Sequence, residues 1–404
     1  MQIGNFQWMK SVNKSTILNV IRLHEPISRA EIAKLTKLTP PTVTNIVGEL
    51  LEAKLVVESK RGDSTGGRKP ILLTINPGAY HLIGLNAGIT QISAVTATLD
   101  GKITGEAQIQ VPPQVTADDY IELLVQAVEA VKAKSEARSY LGIGVGMAGL
   151  IDRDRGVLVY GLKLNFRDVP IKAALEARFG IPVELENDVR ALALAESWFG
   201  QGQNIPNFVC ISVGTGIGAG IVLDQKVYHG SFFTAGELGH VTIDYDGPQC
   251  KCGNRGCLDM FVSKQAVIRR TRQAIEEGRV SVLTEWLENG KAADLTYELI
   301  YSAADAGDPL ALDILKATGG YLGTALTNLI HMLSPQRIIL CGSVIRHGEH
   351  VVSSLIDTVE AKAFGQALEK LTIVVSTLGP NAVAIGGFTL LLQKLYTPSG
   401  IGDV

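Results

Sequence analysis

Two stretches of this chain share one plan. HLIGLNAGITQISAVTATLDGKI, from His81, and FVCISVGTGIGAGIVLDQKVYHG, from Phe208, each read as apolar strand, glycine turn, second strand and polar turn. The period-2 apolar runs and the Asp-Gly turn after the first pair mark hairpins. A hairpin that occurs twice, each time followed by helical segments, restricts the chain to a duplicated α/β body of two lobes. The cleft between the lobes is expected to be faced by the glycine turns. With 404 residues, 46% of them hydrophobic, there is enough apolar surface for a large core and more than one domain.

The second turn, Gly214-Thr215-Gly216-Ile217-Gly218-Ala219-Gly220, also satisfies a loose dinucleotide pattern. A dinucleotide fingerprint needs a helix after its glycines, whereas AGIVLD continues as an apolar strand. A hairpin whose backbone N–H groups approach a phosphate fits better, beside the plain alternative of a glycine-rich hairpin without a ligand. Between the hairpins, VELENDVRALALAE places Glu186, Asn187 and Asp188 where a strand ends and a helix starts, with Ala191, Leu192 and Leu194 packing behind them. An amide and a carboxylate there suit a polyhydroxylated ligand, although a helix cap alone would account for Asp188. GELGH adds Glu237 and His240 after the second hairpin.

The residues before Tyr80 follow another pattern. Ile17, Val20, Ile21, Ile32 and Leu35 recur at helical spacing. Ser28 and Glu31 have the spacing of a capping box, which predicts a short helix from Arg29 to about Thr36. Thr39 followed by Pro40 predicts the start of a third helix, with Val43, Ile46, Val47 and Leu50 as its buried stripe. Pro41, Thr42, Thr44 and Asn45 then lie away from the core, as short side chains suited to a major groove. LVVESKRGDSTGGRKPILLTI reads as two β runs around a glycine-rich loop bearing Lys60, Arg61, Arg68 and Lys69, a basic wing for phosphates or the minor groove. Up to residue 80 there are eleven basic and six acidic residues, although the whole chain carries a net charge of only −3. A basic head on an acidic body is expected to meet a polyanion, and a winged helix-turn-helix is favoured over an inert helical bundle.

The five cysteines are few and odd in number, and no secretory leader pattern opens the sequence, so a cytoplasmic protein with reduced thiols is expected. The apolar run from Phe208 to Leu223 is too short and too glycine-rich for a bilayer, and no membrane association is expected. Three cysteines crowd into GPQCKCGNRGCLDMF. Together with His240, Cys250, Cys252 and Cys257 match the ligand set of a closed structural zinc site. A disulfide is disfavoured by compartment, and CxC beside a third Cys is less apt for exchange chemistry than for holding a metal. A metal there would clamp the loop after His240 and hold Glu237 and Asp259 toward the cleft.

GELGHVTIDYDGPQCKCGNRGCLDMFVS, ISVGTGIGAGIV, LENDVRALALAE, the winged head and STGGRKP together resemble the ROK family of repressors, open reading frames and sugar kinases, and within it most resemble the xylose repressors of Gram-positive bacteria. The likeness covers nearly the whole chain. It implies a winged helix-turn-helix over residues 1–79 and a two-lobed actin-like, ribonuclease-H-like body over residues 80–404. It also implies a homodimer or tetramer, a structural zinc at His240, Cys250, Cys252 and Cys257, and sugar contacts from Asn187, Asp188, Glu237 and His240. Asp259 stands where many members have Glu.

The kinases of that family carry Asp-x-Gly-Gly-Thr-Lys in the first turn, where this chain has Asn86, Ala87, Gly88, Ile89, Thr90 and Gln91. The carboxylate that organises magnesium has become an amide, and a branched Ile replaces a glycine that lets a phosphate approach. Cys341, in IILCGSVI, replaces a glycine beside the nucleotide. Asp188 holds the position of the kinase base, here a vestige without a catalytic role. The expected function is a DNA-binding repressor of a sugar operon, with a palindromic operator and xylose as first candidate effector. The alternative is an active sugar kinase carrying an accessory DNA-binding head.

Overall fold

The computed structural model describes residues 6–61, 70–137, 139–288, 294–346 and 348–397. Chain order begins with α1 (Phe6–His24), β1 (Ile27–Ser28), α2 (Arg29–Thr36), α3 (Pro40–Glu52), β2 (Val56–Arg61) and β3 (Ile71–Ile75). The local signals act where they occur. Ser28 accepts from the Glu31 N–H and Glu31 reaches back to the Ser28 N–H, so the capping box starts α2. Thr39 caps α3, whose Val43, Ile46, Val47 and Leu50 are all buried. β1, β3 and β2 form a three-stranded sheet in that order, completing a winged helix-turn-helix.

Of the two apolar residues that recur at helical spacing in α2, Ile32 is buried and Leu35 is 51% exposed, because the helix has only two turns and its inward face is taken by Ile32. One expectation for the head needs correction. Lys60 and Arg61 belong to β2 and not to the loop, since the strand runs on past a register shift between Glu58 and Arg61. Arg68 and Lys69 lie outside the described residues.

The body continues with β4 (His81–Ala87), β5 (Gln91–Thr98), β6 (Ile103–Gln110), α4 (Ala117–Ala133), β7 (Tyr140–Met147), β8 (Leu150–Asp152), β9 (Val157–Gly161), β10 (Phe166–Val169), α5 (Ile171–Phe179), β11 (Val183–Asn187) and α6 (Asp188–Phe199). Then come β12 (Phe208–Val213), β13 (Ile217–Leu223), β14 (Lys226–Val227), a 3-10 turn at Leu238–His240, α7 (Asp259–Val262), α8 (Lys264–Glu276), α9 (Val282–Glu288), α10 (Tyr297–Asp305) and α11 (Pro309–Leu333). The last elements are β15 (Arg337–Cys341), α12 (Ser343–Arg346), α13 (Glu349–Lys362), α14 (Gly365–Leu368), β16 (Thr372–Val375) and α15 (Ala382–Tyr396).

The expected duplication is visible in the two five-stranded sheets. One has the order β11-β7-β4-β5-β6 and the other β14-β13-β12-β15-β16. In each, an antiparallel three-strand meander is extended by two parallel strands: β4 pairs parallel with β7 and β7 with β11, as β12 does with β15 and β15 with β16. The chain divides into two compact units. The first comprises Met1–Val159, Asp168–Asp188 and Val383–Val404, and so holds the head, the first sheet and α15. The second comprises Tyr160–Arg167 and Val189–Ala382, and holds the second sheet and α7 to α14.

In the first unit α15 lies almost backbone to backbone on its sheet. A Cβ on Gly84 would stand 2.0 Å from the Ala384 carbonyl oxygen, and one on Gly144 would stand 1.8 Å from that of Gly387. Only glycine permits this approach. In the second unit α11 and α13 pack closely through Gly319 and Gly323 over a core that includes Leu322, Leu326 and Leu355. No described helix is long and apolar enough to cross a membrane.

Candidate functional site

In the first unit β11 delivers Asn187 to the end of the sheet, opposite Met147 of β7, and Asp188 opens α6. The Asn187 side-chain amide donates to the Gly149 carbonyl at 3.2 Å. The buried Glu186 accepts from the Asn187 backbone N–H at 2.8 Å, and its other oxygen lies 3.7 Å from the Arg153 guanidinium. The first glycine turn is held from below: Tyr120, wholly buried, donates its hydroxyl to the Gly88 carbonyl at 2.8 Å. Burial, reinforced by the negative charge of Asp188, pushes the Tyr120 phenol up, so it stays a neutral donor. A Cβ on Gly88 would lie 2.4 Å from the Gln91 carbonyl oxygen, so the turn closes tightly on itself.

In the second unit the turn at Gly214–Gly216 is closed by the Gly214 N–H donating to the Gly216 carbonyl at 2.9 Å, while the Gly214 carbonyl accepts from the Lys264 N–H at the start of α8. GELGH runs beside β13. Gly236, at φ +90°, accepts from the Ala219 N–H at 2.8 Å, and a Cβ there would lie 1.9 Å from the Ala219 carbonyl oxygen. Glu237 is thereby exposed just ahead of the 3-10 turn that carries His240. Asp259, first residue of α7, faces the glycine turn, with its Oδ1 3.4 Å from where a Gly216 Cβ would be.

Two residues at this site carry no sequence signal. Lys163 donates its ammonium to the Thr215 carbonyl and stands 2.6 Å from the same Gly216 position. It reaches the turn from a segment far away in sequence, and no spacing rule would find it. Arg190, wholly buried on α6, donates to the Phe233 carbonyl and so fixes the loop before Glu237.

The loop after His240 is a small knuckle. Thr242 bridges to Cys257 and Gln249 to Arg255, the Cys250 N–H donates to the Asn254 carbonyl at 2.8 Å, and the Ile243 N–H donates to the Gly256 carbonyl at 2.8 Å. Gly256 is obligatory, because at φ +64° a Cβ would sit 1.6 Å from the Asp244 carbonyl oxygen. The fold brings His240, Cys250, Cys252 and Cys257 together, with one ligand atom of each lying within 4.8 Å of the others. His240 Nδ1 is 3.7 Å from Cys250 Sγ, and Cys252 Sγ is 3.6 Å from Cys257 Sγ. Tetrahedral coordination with metal–sulfur bonds of about 2.3 Å and metal–nitrogen bonds of about 2.0 Å requires edges of about 3.8 Å and about 3.5 Å. The donor set and its spacing therefore fit a metal ion. Burial pushes the Cys257 thiol up to about 12, so the thiol stays protonated at neutral pH unless a cation replaces the proton.

The chain carries two family signatures. That of the MarR family matches residues 11–69, and that of the ROK family matches residues 82–394. The chain belongs to the ROK family. This ROK chain is 31% identical over 396 residues to the xylose repressor of Bacillus subtilis, a match covering 97% of this chain and 98% of the relative. It is 29% identical to the DNA-binding transcriptional dual regulator NagC of Escherichia coli, covering 98% and 95%. Among solved structures it is similar to a ROK family transcriptional regulator described as a homolog of the E. coli MLC protein, with TM-score 0.85 and 29% identity over 96% of this chain and 97% of the other. A ROK family glucokinase from Streptomyces griseus in complex with glucose and AMPPNP matches with TM-score 0.69 and 28% identity, over 77% of this chain and 98% of the kinase.

Proposed function

We propose that this ROK protein is a transcriptional repressor of a sugar-utilisation operon, released from its operator by a sugar, with xylose the first candidate. One observation carries the reading: relatives named xylose repressors match 97% of the chain, winged head included, whereas the glucokinase match covers 77%. In this reading residues 1–79 bind DNA and residues 80–404 sense the sugar. Pro41, Thr42, Thr44 and Asn45 read the major groove, and the charges of Lys60, Arg61, Arg68 and Lys69 suit phosphates or the minor groove. The residues this reading assigns to the sugar are Asn187, Asp188, Glu237, His240 and Asp259, whose amide, carboxylate and imidazole groups suit hydroxyls.

The metal we assign is zinc, held by His240, Cys250, Cys252 and Cys257. When bound it supplies a fixed cross-link without redox chemistry, and the chain's own knuckle then orients His240 beside β13. A regulator rather than a kinase is supported by the first turn, where Asn86 replaces a carboxylate, Ile89 a glycine and Gln91 a lysine. A homodimer in the cytoplasm would present two heads to the half-sites of a palindrome. Since a ligand shifts an equilibrium only by its differential affinity, the sugar must prefer the conformation that binds DNA poorly.

The test is operator binding at one fixed salt concentration, with and without xylose, glucose and other aldoses. Specific binding released by one sugar is expected. The second reading, an active sugar kinase with an accessory head, is favoured by the glucokinase likeness. Steady ADP release with an aldose, lost in Asp188→Ala, would establish it in place of the first.

A further inference from the structure

The head and the sugar-side residues of the first unit are joined by an unbroken series of contacts. β11, which ends in Asn187, carries Glu184, whose Oε1 lies 2.5 Å from the Lys394 ammonium on α15. α15 cannot slide on the sheet, because Gly84 and Gly144 admit the Ala384 and Gly387 carbonyls with no space to spare. Its final residue, Tyr396, is 1% exposed, and the Arg22 guanidinium of α1 lies 5.1 Å from its ring centroid. Arg22 is in turn held by Asn19 Oδ1, at 3.1 Å from Nε and 2.9 Å from Nη2. Glu25, at the same end of the head, accepts from the Ile75 N–H at 2.6 Å. At its other end α15 begins at Ala382, the residue at which the chain passes from the second unit to the first.

We propose that Arg22 and Tyr396 form the joint through which sugar binding is transmitted to the DNA-binding head, with α15 as the rigid member between them and the body. Both are positioning residues that touch neither DNA nor sugar. A cation desolvated over an aromatic face is directional, so a small rotation of α15 forfeits much of the attraction and re-aims α1. Burial lowers the Arg22 pKa and raises that of Tyr396, as expected of a contact closed to water. A packed joint of this kind has discrete arrangements and does not deform continuously, which lets a small shift at one end become a change of state at the other.

The inference rests on the repressor reading. Its test compares the full-length wild type with Arg22→Ala, Tyr396→Leu, Arg22→Lys and Tyr396→Phe. Each is titrated with operator DNA alone, then with operator in the presence of xylose, glucose or N-acetylglucosamine, and sugar binding is measured separately by calorimetry. In the wild type the effective sugar raises the operator Kd by a factor typical of allosteric coupling, roughly 5- to 150-fold. In Arg22→Ala and Tyr396→Leu that factor is expected to fall to near unity, while operator affinity without sugar and sugar affinity without DNA stay near wild type. Arg22→Lys and Tyr396→Phe keep a cation and a ring, and are expected to retain most of the response. If the wild type responds and the truncated variants respond equally, the joint is refuted alone. If no sugar releases the wild type, the repressor reading and the joint fall together.

Discussion

Substitutions on α3 separate base readout from helix maintenance. Thr44 bonds its hydroxyl to the Pro40 carbonyl at 2.9 Å, and Thr42 pairs its hydroxyl with that of the capping Thr39 at 2.8 Å. Both hydroxyls are engaged within the helix, which leaves the exposed Asn45 amide as the group suited to a two-point bond with adenine. Such a pair contributes about 1–3 kcal/mol, so Asn45→Ala should weaken specific operator binding roughly 5- to 150-fold. Thr44→Val keeps the methyl that can touch thymine and removes only an internal hydrogen bond, and should stay within about 0.5 kcal/mol, or about twofold. Fluorescence anisotropy with operator and with random duplex, at several salt concentrations, measures both. Because Asn45 is uncharged, the slope of log K against log salt should not change. The reasoning is refuted if Thr44→Val costs as much as Asn45→Ala, or if Asn45→Ala weakens operator and random duplex equally.

Four further outcomes are expected. The purified protein should contain close to one zinc per chain by elemental analysis; Cys257→Ser should lose it and melt at lower temperature, and acidification should release it as the ligands regain protons. Asp188→Ala should abolish the sugar response and leave operator affinity unchanged; loss of operator binding in a folded variant would remove Asp188 from the effector site. At the start of α2, the Ser28 backbone N–H, at 2.9 Å, and its hydroxyl, at 2.7 Å, hold the Glu31 carboxyl below its ordinary value. An acid depressed by folding contributes stability above its unfolded pKa and loses it as pH falls through the folded one, so the wild type should lose more melting temperature below pH 4.5 than Glu31→Gln. Ser28→Ala should cost about 1 kcal/mol at neutral pH, read as a shifted urea midpoint.

The parts of this structure that follow from local chemistry were legible in the sequence. The starts of α2 and α3, the two glycine hairpins, the strand-to-helix step at Asn187 and Asp188, and the gathering of His240, Cys250, Cys252 and Cys257 each depend on residues close together in the chain or on a distinctive spacing. Helical periodicity does not say how many faces a two-turn helix can bury, and Leu35 stands exposed although it keeps that spacing. Lys60 and Arg61 misled because their charge reads as loop, although an outer strand of a wing tolerates it. Lys163 and Arg190 were illegible, since each acts on a backbone carbonyl dozens of residues away. The alternating glycines of LGIGVGM did carry a signal, because glycine inside a strand marks a close backbone approach. The partner, Gly387, lies too far along the chain for the sequence to name it.

The seat of α15 also orders the chain's assembly in time. The first unit is built from the beginning of the chain and from Val383–Val404, with the whole of Val189–Ala382 synthesised in between. At about 5–20 residues per second, those roughly 200 residues delay α15 by about 10–40 s. During that interval the faces of β4 and β7 that α15 will cover stand open, with glycines where side chains would otherwise shield the backbone. The second unit is complete in sequence before the first can close. A nascent chain therefore completes the sequence of its winged head long before it has the helix whose Tyr396 packs on Arg22 of that head.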